Sequence, residues 1–242
     1  MRSVAINVAA NTDEPGVRGP LFSDGSFEYV PIPESEPVRS DATVPTYADL
    51  DLTTDVPEDY RSRPVHLDPE FAEYPGCERY TYGDAHGVKA RPILDLAAGD
   101  ALLFYATLAT GPDRPDWAPP EWGAFLIGAF RLARDPLTGA DYRDLPADAE
   151  VRRIFANNAH VERDPFDARV LAHGDPDASG LYDTAVPLST PESGSEANRV
   201  VTALSADSGK GPWWRRPLRF DAAATDRLLA LDPDDAVGSL DR

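Results

Sequence analysis

The sequence predicts a single α+β domain with a β-rich core and a few flanking helices, and three observations carry that prediction. Two apolar runs, Ala101 to Leu108 and Gly123 to Leu132, have the length of buried strands. The stretch between them contains Gly-Pro-Asp-Arg-Pro-Asp and Pro119-Pro120, which rules out a continuing helix. No internal repeat or strong linker divides the 242 residues, so the domain is set at residues 1–232, followed by a polar tail over 233–242. A chain of this size can bury roughly 70 to 75% of its unfolded surface, enough for a sizeable core.

Taken in order, Ser3 to Ala9 alternates around Val4, Ile6 and Val8 and reads as a first strand. A turn region over Gly16 to Gly25 feeds a second strand, Phe27 to Ile32, which Pro31 and Pro33 confine to an edge. Residues 34–59 are rich in Pro, Asp, Ser and Thr without periodicity and read as a long surface excursion. Gly99-Asp100 forms the turn that launches the first apolar run. Asp144 is expected to cap a helix with Pro146 in its first turn and Val151, Ile154, Phe155 and Asn158 on one face. Ser193-x-x-Glu196 matches a capping box ahead of Ala197, Val200, Val201 and Leu204. Asp221 caps a last helix carrying Ala224, Leu228 and Leu231.

The formal charge of -19, from 42 acidic against 23 basic residues, includes only two lysines, Lys89 and Lys210. This balance points to a salt-in halophile, where concentrated salt shrinks the Debye length to roughly 3 Å and dense carboxylates keep the surface hydrated. The charge then describes the solvent more than the partner, and local basic patches become the better guide. Cys77 is the only cysteine, which excludes an internal disulfide and a multi-cysteine zinc site, fits a reducing cytosol, and reads as an incidental loop residue. The N-terminus lacks a signal-peptide apolar region and no run approaches about 18 apolar residues, so a cytoplasmic protein without a membrane partner is expected.

Several segments combine residue types that carry chemistry. Glycines around Arg18 allow backbone and guanidinium to approach a phosphate or carboxylate. His66-x-Asp68 has the spacing of the first two ligands of a 2-His-1-carboxylate iron site, with His160 or His173 as the distal histidine. Pro69 directly after Asp68 points instead to a structural turn, and the leading reading assigns no metal. Thr81-Tyr82-Gly83-Asp84, with His86 and Lys89 behind, is a base-binding cluster with Tyr82 as its aromatic face, an acid/base cluster, or a surface turn. Tyr105, Trp117 and Trp122 offer aromatic faces for stacking a base. Asn157-Asn158-Ala-His160 ends the predicted helix with amides suited to a base edge and an imidazole suited to proton transfer, while Asn is also an ordinary helix C-cap. Lys210, Trp213, Trp214, Arg215 and Arg216 hold cations and paired indoles without an acid, a local reversal of charge that suits a polyanion.

Gly16-Val-Arg-Gly-Pro-Leu-Phe-Ser-Asp-Gly-Ser-Phe-Glu-Tyr-Val-Pro-Ile-Pro33, Tyr47-Ala-Asp-Leu50, His66-Leu-Asp-Pro-Glu70, Thr81-Tyr-Gly-Asp84 and Gly99-Asp-Ala-Leu-Leu-Phe-Tyr105 follow one another in order. Together they resemble the nucleotide modification associated domain of the third type, in an acidic, haloarchaeal-type member. The resemblance implies a signature role for the loop that ends in Asp24-Gly25. It also likens the two apolar runs to the strand pair of a PUA-like barrel that grips a nucleobase. Asp84 stands where the family leads one to expect an amide.

The leading expectation is a protein that binds a nucleobase or nucleotide, free or in DNA in preference to RNA, and takes part in making or handling modified bases. As an enzyme it would use Arg18 for an anionic group, His66 or Asp84 for proton transfer, and Trp213 or Trp214 for stacking; no cofactor is specified. The rival readings are a noncatalytic reader of modified bases and an iron oxygenase built on His66, Asp68 and a second histidine.

Overall fold

A computed structural model describes residues 1–189, 204–206 and 217–231. Its centre is the antiparallel pair β6 (Ala101–Thr110) and β7 (Trp122–Arg131), formed by the two apolar runs. β1 (Ser3–Asn7) adds in parallel to the first half of β6, and β2 (Pro20–Leu21) adds in parallel to its far end. β10 (Gly180–Pro187) flanks β7, and β11 (Leu218–Phe220) flanks β1.

Side chains of β6 alternate between two cores, which is why its sequence is apolar throughout. Leu102, Phe104, Ala106 and Leu108 pack with Val4, Ile6, Phe71, Phe125 and Ile127 on one face. Leu103 and Tyr105 pack with Ala5, Leu126, Leu218 and Leu228 on the other. A register shift between Phe104 and Tyr105 inserts an extra β7 residue, so Ile127 and Phe130 both reach the first core despite their odd spacing. A sheet covered on both faces has no need to close. The expected barrel is therefore corrected to an open sheet, ordered β10-β7-β6-β1-β11 with β2 beside β6.

The second face is covered by the last helix, named α5 below. The other face carries the smaller elements: β3 (Ile32–Pro33) paired with β4 (Val65–His66), and the sheet of β5 (Thr81–Asp84), β9 (Val170–His173) and β8 (Leu137–Thr138). The helices are α1 (Gly87–Leu94), α2 (Gly139–Asp144), α3 (Glu150–Ile154), α4 (Ala159–Glu162) and α5 (Ala222–Leu229). No described helix is long and apolar enough to cross a membrane.

Three expectations need correction. Of the expected strand Phe27 to Ile32 only Ile32 lies in one, β3; Phe27 makes one bridge to Leu21, and Val30 turns inward, its carbonyl accepting from Ala10. Asp144 ends α2 rather than capping a helix, because Thr138 caps α2 and Leu145-Pro146 leaves helical geometry before α3. Asn158 is the N-cap of α4, accepting from the His160 N–H, and not a C-cap. The capping role of Asp221 is found as expected, its carboxylate accepting from the Ala224 N–H at 2.8 Å. The helix read from Ser193 and the basic tryptophan segment fall outside the described residues.

Candidate functional site

β1 leaves the sheet at Asn7, and the backbone swings away through Ala9, whose φ of +73° is unusual for a residue with a side chain. The space beyond is a cavity of about 470 Å³. Its walls include Asn7, Asn11, His66, Asp68, Tyr82, Asp84, His86, Lys89, His160 and Arg163. Four of these, His66, Asp68, Asp84 and His160, are the proposed catalytic residues read from separate parts of the sequence.

His66, Asp68 and His160 each place one potential ligand atom within 4.8 Å of the others, and all three are buried. The His160 Nε2 lies 3.6 Å from Asp68 Oδ2, and the two imidazoles meet edge-on with centroids 5.0 Å apart.

Each imidazole is oriented from behind. The antiparallel β3–β4 pairing sets Ile32 opposite His66, and Glu34 then reaches the His66 Nδ1 at 2.7 Å. Asp167 does the same for the His160 Nδ1, also at 2.7 Å. Arg163 joins these two carboxylates, donating from Nε (3.1 Å) and NH2 (2.7 Å) to Glu34 and from NH1 (2.7 Å) to Asp167. Ionised Glu34 and Asp167 accept Nδ1–H, which fixes both rings as the tautomer whose Nε2 lone pair is free.

Burial would raise the Glu34 carboxyl, but the bonds from His66 and Arg163 outweigh it and bring it down to about 2. The same opposition, with His160 and Arg163 as donors, brings Asp167 down to about 2. Burial lowers His66 and so favours its neutral ring.

Asp68 receives the Gly83 N–H on both oxygens, at 2.9 and 3.0 Å, and the Asn158 amide on Oδ1 at 3.1 Å. Among the described residues it touches no lysine or arginine, and burial pushes its carboxyl well above the usual range. Among the buried and half-buried charged side chains that line the cavity or anchor its histidines, Glu34, Asp68, Asp84 and Asp167 stand against Lys89 and Arg163. When all four acids are ionised, the excess of two negative charges equals the charge of one divalent cation.

Gly83 is required by close approach, since a Cβ there would lie 2.8 Å from the Asn158 Oδ1 and 3.0 Å from the His160 Cδ2. The segment expected as an acid/base cluster or a surface turn is thus a buried strand, β5. Beside the triad, Asp84 accepts from the Tyr82 hydroxyl at 3.0 Å and the His86 N–H at 2.6 Å, and Lys89 lies 3.3 Å from it.

Other expected site residues are placed elsewhere. Tyr105 is fully buried in the second core. Asn158 is also fully buried and is occupied in holding Asp68 and the Thr81 hydroxyl. Arg18 lies over the Trp122 ring, 4.4 Å from its centroid, with a buried Nε that has no hydrogen-bond partner among the described residues. Asp24 turns back on Ser26 at an exposed loop tip. His173 does not join the triad. Lys210, Trp213, Trp214, Arg215 and Arg216 lie outside the described residues. Cys77 is half-buried and its thiol is pushed up to about 12, chiefly by burial, which suits the incidental reading.

Sequence reasoning missed Glu34, Arg163 and Asp167. The i,i+4 spacing of Arg163 and Asp167 was a readable pair, but nothing local ties either to Glu34.

Fold and site together define an α+β protein with an open, doubly covered sheet and a buried His-Asp-His pocket beside it. A family model, nucleotide modification associated domain 3, matches residues 2–230, and the chain belongs to that family. No curated protein and no solved structure matches it.

Proposed function

We propose that this protein is a metal-dependent enzyme that modifies the base of a nucleotide or nucleic acid, with one divalent transition-metal ion held by His66, Asp68 and His160. One observation carries this reading: both imidazoles have Nδ1 anchored by a carboxylate, and a single arginine anchors both carboxylates. Groups that serve only packing have no need of such orientation, whereas metal-ligating histidines regularly have it. A buried carboxylate without a lysine or arginine in contact among the described residues, in a network two charges short, supplies the electrostatic reason for an ion.

Two histidines and one carboxylate suit Fe(II) or Zn(II). Such an ion, held by His66, Asp68 and His160, would supply Lewis-acid polarisation or activation of water in the cavity. Asp84, with Tyr82 and Lys89 around it, is the group placed to move a proton. The reader hypothesis loses one of its aromatic walls, since Tyr105 is enclosed in the core. Family membership supports a role in nucleotide modification, and we take DNA as the substrate in preference to RNA.

The test has two parts. Protein purified anaerobically and reconstituted with Fe(II), or separately with Zn(II), is expected to hold one ion per chain, and His66→Ala, Asp68→Asn and His160→Ala are each expected to lose it. Wild-type protein that holds no more metal than these variants overturns the metal centre. Mass spectrometry of digested DNA and RNA nucleosides from a deletion strain beside its parent then identifies the product by its loss.

A further inference from the structure

The second large cavity, about 440 Å³, is a groove between α1 and α2. Arg91, Arg143 and Arg169 line it, and among the described residues Asp95 is the only carboxylate in its wall. All three arginines are exposed, and none makes an ion pair with a described residue. In a chain with 42 acidic and 23 basic residues, three unpaired arginines around one groove are a pronounced local reversal of charge.

The groove adjoins the pocket described above. The Arg169 N–H donates to the Asp84 carbonyl at 2.8 Å, and a side chain at Gly87 would meet the Arg169 guanidinium at 3.5 Å. Lys89 lines the pocket and Arg91 lines the groove, so the two cavities flank opposite sides of one helix. Two residues turn a helix by about 200°, and an α-helix is about 10–12 Å across. Neighbouring nucleotides of one strand can therefore occupy both. Val88, 73% exposed, stands at the first turn of α1 between them as an apolar edge for a base to rest against.

The charges of the two cavities divide a nucleotide. In the pocket, a divalent ion only balances the carboxylate excess, and Lys89 is engaged by Asp84 at 3.3 Å, which leaves no surplus positive charge for a phosphate. In the groove, guanidinium groups without a carboxylate partner among the described residues, Arg143 resting 5.8 Å from the Phe166 ring centroid, are suited to phosphate oxygens.

We infer that the substrate is a single-stranded polynucleotide, whose phosphates bind Arg91, Arg143 and Arg169 while a neighbouring base enters the pocket. The inference rests on the proposed metal centre for the base-binding half alone; the phosphate groove stands or falls separately.

The experiment is fluorescence anisotropy of the full, metal-loaded chain with labelled oligothymidylate and oligouridylate of about 15 nucleotides. Salt is varied from about 50 to 200 mM, and thymidine monophosphate and a polyglutamate peptide serve as competitors. Wild-type protein is expected to bind at least one oligonucleotide, and the tighter of the two assigns the sugar. The Arg91→Gln, Arg143→Gln, Arg169→Gln triple variant is expected to lose at least about tenfold in affinity, with the slope of log affinity against log salt reduced by about 2, while keeping its metal content. Equal oligonucleotide affinity in the folded triple variant overturns the groove. So does competition by the monophosphate as strong as by unlabelled oligonucleotide, which returns the substrate to free nucleotides. Polyglutamate binding as tight as oligonucleotide also overturns it and assigns the groove to an acidic protein. His160→Ala separates the two readings: it is expected to abolish metal binding while leaving arginine-dependent oligonucleotide affinity in place.

Discussion

Arg163→Gln removes the side chain that joins the two carboxylates behind the imidazoles, and its effect can be worked from the contacts. The guanidinium, with 11% of its side chain exposed, makes three charge-assisted bonds, to Glu34 (3% exposed) and Asp167 (29% exposed). Glutamine replaces at most one of them and leaves the two acids without their shared cation. Removing one partner of a buried ion pair costs about 3–5 kcal/mol, and the exposure of Asp167 places this case toward the lower end. Loss of the groups that orient metal-ligating histidines costs about 10- to 100-fold in metal affinity, or about 1.4–2.8 kcal/mol. The assay pairs urea denaturation with Zn(II) competition against a chromophoric chelator. A side chain with only a structural role would lower the urea midpoint and leave the Kd of folded molecules unchanged. Arg163→Lys, which keeps the charge but loses the fork, is expected to fall between wild type and glutamine in both readouts. A folded Arg163→Gln variant with wild-type Kd refutes the reasoning.

Further outcomes follow from other contacts. Gly83→Ala forces a methyl group against Asn158 and His160, so a loss of about 1–3 kcal/mol and of bound metal is expected; full metal occupancy at wild-type stability would contradict the packing argument. Glu34 and Asp167 have folded-state values near 2, below their usual 4.5 and 3.8, so the stability they contribute is complete above about pH 5. It is lost as pH falls toward 2, and urea midpoints across that range should show the fall shrink in Arg163→Gln. Glu162 has the opposite sign: burial raises it from 4.5 to about 7, so stability is lost as pH rises through that window. Glu162→Gln should therefore gain more at pH 8 than at pH 4, and equal gains would argue against a buried acid there. Iodoacetamide at neutral pH should label native Cys77 far more slowly than the urea-unfolded chain, because the thiol is held protonated. With a net charge of -19, the melting temperature should climb as KCl is raised from low salt to about 1 M; a flat profile would count against the halophilic reading.

The parts of the fold visible in the sequence were those where one physical demand dominated. Residues 101–110 and 122–131 face apolar surroundings on both sides, and their composition shows it. β5 was harder to read because its buried positions include Thr81, Gly83 and Asp84, each serving a contact to the site instead of to the core. His66-x-Asp68 suggested ligands, yet its meaning depended on His160, whose convergence arises from tertiary packing. Glu34 and Arg163 lie 129 residues apart, and no local pattern encodes such a pair. Tyr105 was misplaced for a related reason: strand alternation assigns it a face but does not say that the face is covered by a second core.

The shared guanidinium behind the two imidazoles also bears on how the pocket could change over evolutionary time. Because Glu34, Asp167 and both rings meet on Arg163, no one of them can drift alone. An acidic replacement for His160 would set a new carboxylate beside Asp167, and a neutral replacement for Glu34 would free Arg163 to swing toward the other side. Ligand exchanges at this pocket should therefore be strongly epistatic, with viable sequences separated by paired substitutions rather than connected by single ones.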